Sequence, residues 1–388
     1  SIGIDMKGVK ILDLSPDAEF FKQTQTYDLF SPAEVERDPI AKKIVDCIES
    51  LRPKRVFLDS ITQFRYLSSD AFQFRKQVLS FLRFMADQKV TLLVSSESTA
   101  DTPDDDMRFM SDGIIELRFV DEVRTAAVTK YRGSIFPRGR HSLRLTSHGM
   151  EVYPRLEPSA HKRIFTADIL PSGLPEFDSM LHGGIERGTV TIISGPSGVG
   201  KTTLGLQFMK EAAGRGERSV LYAFEENFEA LVNRSEAINL PVRAMLERDT
   251  LSIVPVEPLY YSPDELATMV RREVEESEAR IIMIDSTSGY SLSFQEENIE
   301  SHLHALCNYL KNMGVAVILL NETNEVISDR FRATGMGISY LADNLLYMRY
   351  METEGRMRRV IGVLKKRLSD FEKTVRELEI TRYGIRVG

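Results

Sequence analysis

The sequence predicts an α/β protein made of two related units with mostly parallel central sheets, the first of them incomplete. Three observations carry this. Short apolar runs such as Thr189-Val190-Thr191-Ile192-Ile193-Ser194 and Ile281-Ile282-Met283-Ile284 alternate with helical stripes, as in βα units that wind around a parallel sheet. Segments of the first half recur in the second half in the same order, which is how a duplicated unit reads in sequence. One glycine-rich loop, Gly195-Pro196-Ser197-Gly198-Val199-Gly200-Lys201-Thr202, stands between a strand-like run and a helix-like run, and it has no counterpart earlier in the chain.

The elements follow in order. After Asp38-Pro39 the residues Ile40, Ile44, Val45, Ile48 and Leu51 form a helical stripe that leads into the strand Arg55–Ser60. Tyr153-Pro154-Arg155-Leu156-Glu157-Pro158 reads as a linker and places the domains at 1–158 and 159–388. In the second domain the strand 189–194, the loop and the helix Thr203–Ala213 come first, then the strand Val220–Phe224. Ser262-Pro263-Asp264-Glu265 is a capping box with proline at the first helical position. Leu266, Met269, Val270 and Val274 then stripe one helix face ahead of Ile281–Ile284. Val315–Leu320 is a further apolar run and Val360–Leu364 a late strand.

The repeat is specific in its details. Arg55-Val56-Phe57-Leu58-Asp59-Ser60 matches Arg280 to Ser286, and Ser111-Asp112-Gly113-Ile114 matches Ala342-Asp343-Asn344-Leu345. Lys130-Tyr131-Arg132 matches Lys365-Lys366-Arg367, and Thr146-Ser147-His148-Gly149 matches Thr381-Arg382-Tyr383-Gly384. The stretch that carries the glycine loop ahead of Arg280 has almost no counterpart ahead of Arg55. The first domain therefore reads as one without its N-terminal third.

Composition bounds the function classes. A hydrophobic fraction of 42% and a charged fraction of 28% over 388 residues are those of a globular protein. The apolar runs are too short to span a bilayer, and no signal peptide opens the chain. Cys47 and Cys307 are not spaced as metal ligands, which points to a reducing cytoplasm. A net charge of −7 argues against coating DNA by charge alone. His302 and His304, two apart on a helix, face different directions and make a poor metal pair.

The chemistry centres on the glycine loop. G-x-x-x-x-G-K-[ST] between strand and helix makes a phosphate cradle of backbone N–H groups. Lys201 would reach the β- and γ-phosphates and the Thr202 hydroxyl would take a place on Mg²⁺, with Gly195, Ser197, Gly198, Val199, Gly200 and Thr203 completing the cradle. Asp285 ends an apolar strand and reads as the carboxylate that anchors the metal, although Asp-Ser-Thr-Ser also reads as a helix cap. Glu225 and Glu226 follow a strand and offer a carboxylate to orient an attacking water. Their order suits an additional-strand ATPase rather than a GTPase switch. Lys365 and Arg367, at alternate positions of a late strand, would share one face able to meet a triphosphate.

On these residues the chain resembles the KaiC family of RecA-like ATPases, which includes the cyanobacterial circadian clock protein. Pro171-Ser172-Gly173-Leu174-Pro175-Glu176-Phe177-Asp178-Ser179-Met180-Leu181-His182-Gly183-Gly184-Ile185 is similar to the signature ahead of the family's phosphate loop, and Phe224-Glu225-Glu226 to its paired glutamates. Lys130 with Arg132, and Lys365 with Arg367, look like its K-x-R element. Ser15-Pro16-Asp17 and Thr146 to Gly149 look like parts of the first tandem domain. The resemblance covers almost the whole length. It implies two RecA-like domains, ATP and Mg²⁺ as ligands, and a homo-hexamer with ATP at subunit interfaces. In that arrangement Lys201, Thr202, Asp285, Glu225 and Glu226 act in cis, and Lys365 and Arg367 act on the neighbouring subunit. It further implies serine/threonine autophosphorylation, with Thr334 and Ser339 as phosphosites, and a KaiB-like or other signalling partner. Tyr340 stands where the family has a threonine, and the chain ends before the family's regulatory tail. Both departures point away from classical clock function. Two alternatives stay open: an ATP-gated signalling scaffold with negligible turnover, and a RecA- or DnaB-like DNA motor with Asp329-Arg330-Phe331-Arg332 as its one candidate pore loop.

Overall fold

The computed structural model describes residues 6–14, 32–62, 65, 70–97, 105–120, 123–294, 299–323 and 340–388. The first half carries α1 (Pro32–Leu51), β1 (Arg55–Leu58), α2 (Ala71–Asp87), β2 (Thr91–Val94), α3 (Asp105–Met110), β3 (Gly113–Val120), β4 (Val123–Tyr131), β5 (His141–Thr146) and β6 (Gly149–Tyr153). The second half continues with β7 (Ile169–Leu170), α4 (Pro175–Met180), β8 (Ile185–Glu186), β9 (Val190–Gly195), α5 (Lys201–Gly214), β10 (Ser219–Ala223), α6 (Phe228–Glu236), α7 (Val242–Glu247), β11 (Leu251–Pro255), α8 (Pro263–Glu275), β12 (Ile281–Asp285), α9 (Thr287–Ser293), α10 (Ile299–Asn312), β13 (Ala316–Glu322), β14 (Asn344–Thr353), β15 (Arg356–Lys366), β16 (Arg376–Thr381) and β17 (Gly384–Val387).

The fold is α/β, and the large sheet is parallel at its centre. Nine strands run in the order β11-β10-β12-β13-β9-β14-β15-β16-β17. β11, β10, β12, β13, β9 and β14 pair in parallel, and β14 to β17 form an antiparallel flank. Period-2 alternation divides the buried side chains between two faces. Ile281, Met283, Ile318 and Leu320 pack with Leu204, Leu206 and Phe208 of α5. Ile282, Ile284, Val317 and Leu319 pack on the other side with Leu266, Val270 and Val274 of α8. The sequence stripe on α8 thus faces the core, and its capping box forms with both hydrogen bonds in place. α5 lies close on the sheet: a Cβ added at Gly205 would sit 2.2 Å from Met283 Sδ.

The described strands of the first half follow the later part of this plan. Removing β9, β10 and β11 from the second copy's order leaves a parallel pair, β12 and β13, and the run β14 to β17. The first half has a parallel pair, β1 with β2, and a sheet in the order β3-β4-β5-β6. Two local structures repeat atom for atom. The Thr146 hydroxyl donates to Gly149 O and accepts from His148 N, as the Thr381 hydroxyl does with Gly384 O and Tyr383 N. Arg132 N donates to Asp112 O at 2.9 Å, and Arg367 N to Asp343 O at 3.1 Å. The helix predicted after Asp38-Pro39 instead begins at Pro32 and runs through Pro39. An interior proline lacks one backbone donor and crowds the carbonyl four residues earlier, yet the helix continues, and the predicted stripe still buries Ile44 and Ile48. The chain divides into two compact units, 1–117 with 127–138 and 145–149, and 118–126 with 139–144 and 150–388.

Candidate functional site

The site is built where the central parallel strands end. β9 passes into the glycine loop, and the loop turns into α5. Two glycines make the turn possible: Gly198 and Gly200 hold φ of 75° and 112°, which only glycine adopts without strain. Gly200 also lies against Ile380, whose Cδ1 would be 2.5 Å from an added Cβ. Asn321 Nδ2, at the end of β13, donates to Ser194 Oγ at 3.1 Å and so ties the loop strand to its neighbour. The Tyr350 hydroxyl donates to Gly198 O at 2.9 Å.

The stretch ahead of β9 has a physical reason for its sequence. Asp178 accepts from Ser172 N and Oγ, both at 2.7 Å, and from Gly173 N at 3.1 Å. Gly184, at φ 139°, lets the chain pass Leu170 O, which a Cβ would meet at 2.1 Å.

Lys201 is buried and donates to Gly195 O and Pro196 O at 2.8 and 2.9 Å. Burial pushes its ammonium below the usual range, and Glu322, Asp285 and Glu225 pull it back up. The Thr202 hydroxyl donates to Asp285 Oδ2 at 2.7 Å. Burial raises the Asp285 carboxyl, the Thr202 bond lowers it, and Glu226 and Glu225 push it up further. β12 is not the neighbour of β9, because β13 runs between them. The loop and the Asp285 strand are thus arranged as an additional-strand site requires.

The paired glutamates part company. Glu225 Oε1 accepts from the Ser286 hydroxyl at 2.6 Å, and the same hydroxyl caps α9 by accepting from Gly289 N at 3.1 Å. Glu226 pairs with Arg234 at 2.9 Å. One carboxylate is therefore aimed at the end of the Asp285 strand, and the other is neutralised by a cation of the following helix. Of the Asp-Ser-Thr-Ser run it is Ser286 that caps α9, while Asp285 engages Thr202.

Lys365 and Arg367 lie elsewhere. Arg367 pairs with Asp343 Oδ1 at 3.4 Å, while Asp343 Oδ2 accepts from Val190 N at 3.0 Å and pairs with Lys311 at 2.7 Å. Val190 begins β9 and Gly195 ends it, a span of about 16 Å. These cations sit at the opposite edge of the sheet from the chain's own glycine loop. In the first copy Arg132 pairs with Asp112 at 3.2 Å, and Lys130 donates to Arg108 O at 2.6 Å. The same clasp therefore occurs twice. Thr334, Ser339, Asp329–Arg332 and Ser15–Asp17 lie outside the described residues. Tyr340 is exposed, with its ring edge-on to His304 at 5.6 Å.

Glu322 was not picked out by sequence reasoning. It ends β13 directly opposite Gly195 and falls in phase with Ile318 and Leu320. That phase was the signal available. Ser286 and Tyr350 were likewise missed, since a capping serine and a strand tyrosine carry no local mark of a contact made across the sheet.

The family model for "ATPase: KaiC" matches residues 6–157 and again 170–388. The chain belongs to the KaiC ATPase family. Among curated relatives it is 25% identical to circadian clock oscillator protein KaiC 1 of Synechocystis sp., over 98% of this chain and 73% of that protein. It is 25% identical to KaiC of Parasynechococcus marenigrum over 96% of this chain and 73% of the relative, and 24% identical to KaiC of Synechococcus elongatus over 98% and 73%. Membership in the KaiC ATPase family gives the α/β architecture its name, RecA-like, and makes ATP the nucleotide its glycine loop is expected to hold. No helix among the described residues is long and apolar enough to cross a membrane.

The loop suits a nucleotide phosphate chain: its glycines adopt the left-handed backbone, and Lys201 and Thr202 stand at its end. No group of three or more His, Cys, Asp or Glu able to hold a metal alone occurs among the described residues. Thr202 and Asp285, joined at 2.7 Å, are residues that could hold a metal ion together with nucleotide oxygens.

Proposed function

We propose that the second domain, 159–388, binds and hydrolyses ATP with Mg²⁺ at Gly195–Thr203, Glu225 and Asp285. The observation that carries this is the 2.7 Å bond from Thr202 to Asp285, which joins the phosphate loop to a carboxylate two strands away. Bound Mg²⁺ would supply Lewis-acid stabilisation of the phosphate oxygens. Lys201 holds the phosphate chain, the loop N–H groups orient it, and Glu225, fixed by Ser286, orients the attacking water. Glu226 supports that arrangement through Arg234.

We assign a further cation at this site to a neighbouring copy. Lys365 and Arg367 stand about 16 Å away at the far edge of β9, so they serve a second copy. Rings of copies, hexameric by the family's pattern, satisfy that geometry, with Lys130 and Arg132 in the matching place of the first domain. Autophosphorylation at Thr334 or Ser339 and docking of a KaiB-like or other signalling protein belong to the same reading.

The test is nucleotide binding and turnover with purified protein. Lys201→Ala is expected to abolish both. Mixing Lys201→Ala chains with Arg367→Ala chains is expected to restore part of the turnover, because some interfaces then combine an intact loop with an intact cation. Unchanged binding in Lys201→Ala would sink the site. No restoration on mixing would sink the shared interface but leave the site standing.

A further inference from the structure

Two neighbouring strands, β12 and β13, end in carboxylates on the face that carries Lys201, and a third carboxylate, Glu225, follows the adjoining β10. In β12, Ile281 and Met283 belong to the α5 face, so Asp285 does too. In β10, Leu221 belongs to it, and Glu225 follows in phase. In β13, Ile318 and Leu320 belong to it, and Glu322 is the next residue of that phase. Asp285 engages Thr202 and Glu225 engages Ser286. Glu322 is bound up with the loop itself.

Its Cα is the ladder partner of Gly195 in the parallel pairing. Thr323 N donates to Gly195 O at 3.2 Å, the same oxygen that takes Lys201 Nζ at 2.8 Å. The end of β13 and the lysine are thus fastened to one carbonyl. Burial lowers the Lys201 ammonium, and Glu322 heads the charges that offset this. A half-buried carboxylate in that place attracts the ammonium and repels whatever anion the ammonium is meant to hold.

We propose that Glu322 competes with the terminal phosphate of the nucleotide for Lys201, and so sets the preference of this site between tri- and diphosphate. The inference rests on the reading that the loop binds nucleoside triphosphate. A triphosphate brings its extra charge to the end of the loop where Lys201 and the end of β13 share Gly195. A diphosphate reaches Lys201 with its β-phosphate alone and brings less charge there. Glu322 therefore penalises ATP more than ADP and keeps the product from being outcompeted as strongly as the loop alone would dictate.

The experiment is equilibrium titration of the full chain with Mg-ATP and Mg-ADP, for wild type, Glu322→Gln and Glu322→Asp, with circular dichroism to confirm the fold. Glu322→Gln is expected to tighten ATP binding about fivefold and ADP binding less than twofold, the scale of one partly screened charge at close range. The gain should shrink as salt rises. Glu322→Asp keeps the charge and is expected to behave as wild type. A wild-type protein that binds neither nucleotide overturns the underlying reading. A wild type that binds both, with Glu322→Gln equal or weaker for ATP, overturns this inference alone. Equal tightening of both nucleotides also overturns it, because the carboxylate would then not distinguish the terminal phosphate.

Discussion

Replacing Ser286 by alanine separates two jobs that one hydroxyl performs. The hydroxyl accepts from Gly289 N at 3.1 Å as the cap of α9 and donates to Glu225 Oε1 at 2.6 Å. Losing a serine cap costs about 1 kcal/mol. A hydrogen bond to a charged group is worth up to about 3 kcal/mol when buried, but Glu225 is exposed and water replaces the lost donor. That term shrinks to below about 1 kcal/mol. Ser286→Ala should therefore destabilise the protein by about 1–2 kcal/mol, most of it from the cap. Turnover should fall about tenfold or more, since an untethered Glu225 no longer holds one rotamer over the water and each 1.4 kcal/mol of barrier is roughly a factor of ten. Ser286→Thr retains both bonds and should lose little of either. Urea unfolding followed by far-UV circular dichroism gives the first number, since the chain has no tryptophan, and steady-state phosphate release gives the second. A Ser286→Ala protein with unchanged turnover, or one as stable as wild type, would refute the reasoning for the corresponding bond.

Two further outcomes follow from the geometry. Burial raises the Asp285 carboxyl from 3.8, so its ionised form is the costly one in the folded protein. That cost is absent below the unfolded value, grows as pH rises through the raised folded value, and is complete above it. Asp285→Asn should therefore be more stable than wild type at pH 7 while losing Mg²⁺-dependent binding, and its advantage in urea midpoint should shrink as pH falls toward 4; an advantage that grows with acid contradicts the assignment. Gly205→Ala would gain up to about 1 kcal/mol of helix propensity, but the new methyl meets Met283 Sδ at 2.2 Å, and overpacking costs about 1–3 kcal/mol. A net loss of about 1–2 kcal/mol in thermal or urea unfolding is expected, and a gain would mean that Met283 moves aside freely.

Much of the second domain was legible in the sequence because its signals are local. The glycine loop, the strands around Ile192 and Ile284, and the capping box at Ser262 each follow from neighbours within a few residues. The matching segments of the repeat were legible too, and the pairing of Asp112 with Arg132 and of Asp343 with Arg367 came only with the structure. What escaped was what the sheet assembles. Glu322 becomes visible only when β13 is set beside β9 in register, and the separate fates of Glu225 and Glu226 depend on Ser286 and Arg234. The position of Lys365 and Arg367 at the far edge of β9 follows from strand direction, which alternation of side chains does not reveal.

The described parallel strands of the two halves differ in how they are supported. In the second copy β9 has a neighbour on each side, and its amides lie inside a continuous ladder. Among the described residues β1 and β2 pair only with each other, and Phe57 and Leu93 on them are 61% and 60% exposed. Hydrogen exchange should therefore be graded along the chain. Amides of β1 and β2 exchange through cheap local openings, and those of β9, β12 and β13 only through the costliest. The nucleotide loop would then hang from the slowest-exchanging strand of the molecule, so its cradle keeps its shape while the first half of the chain breathes.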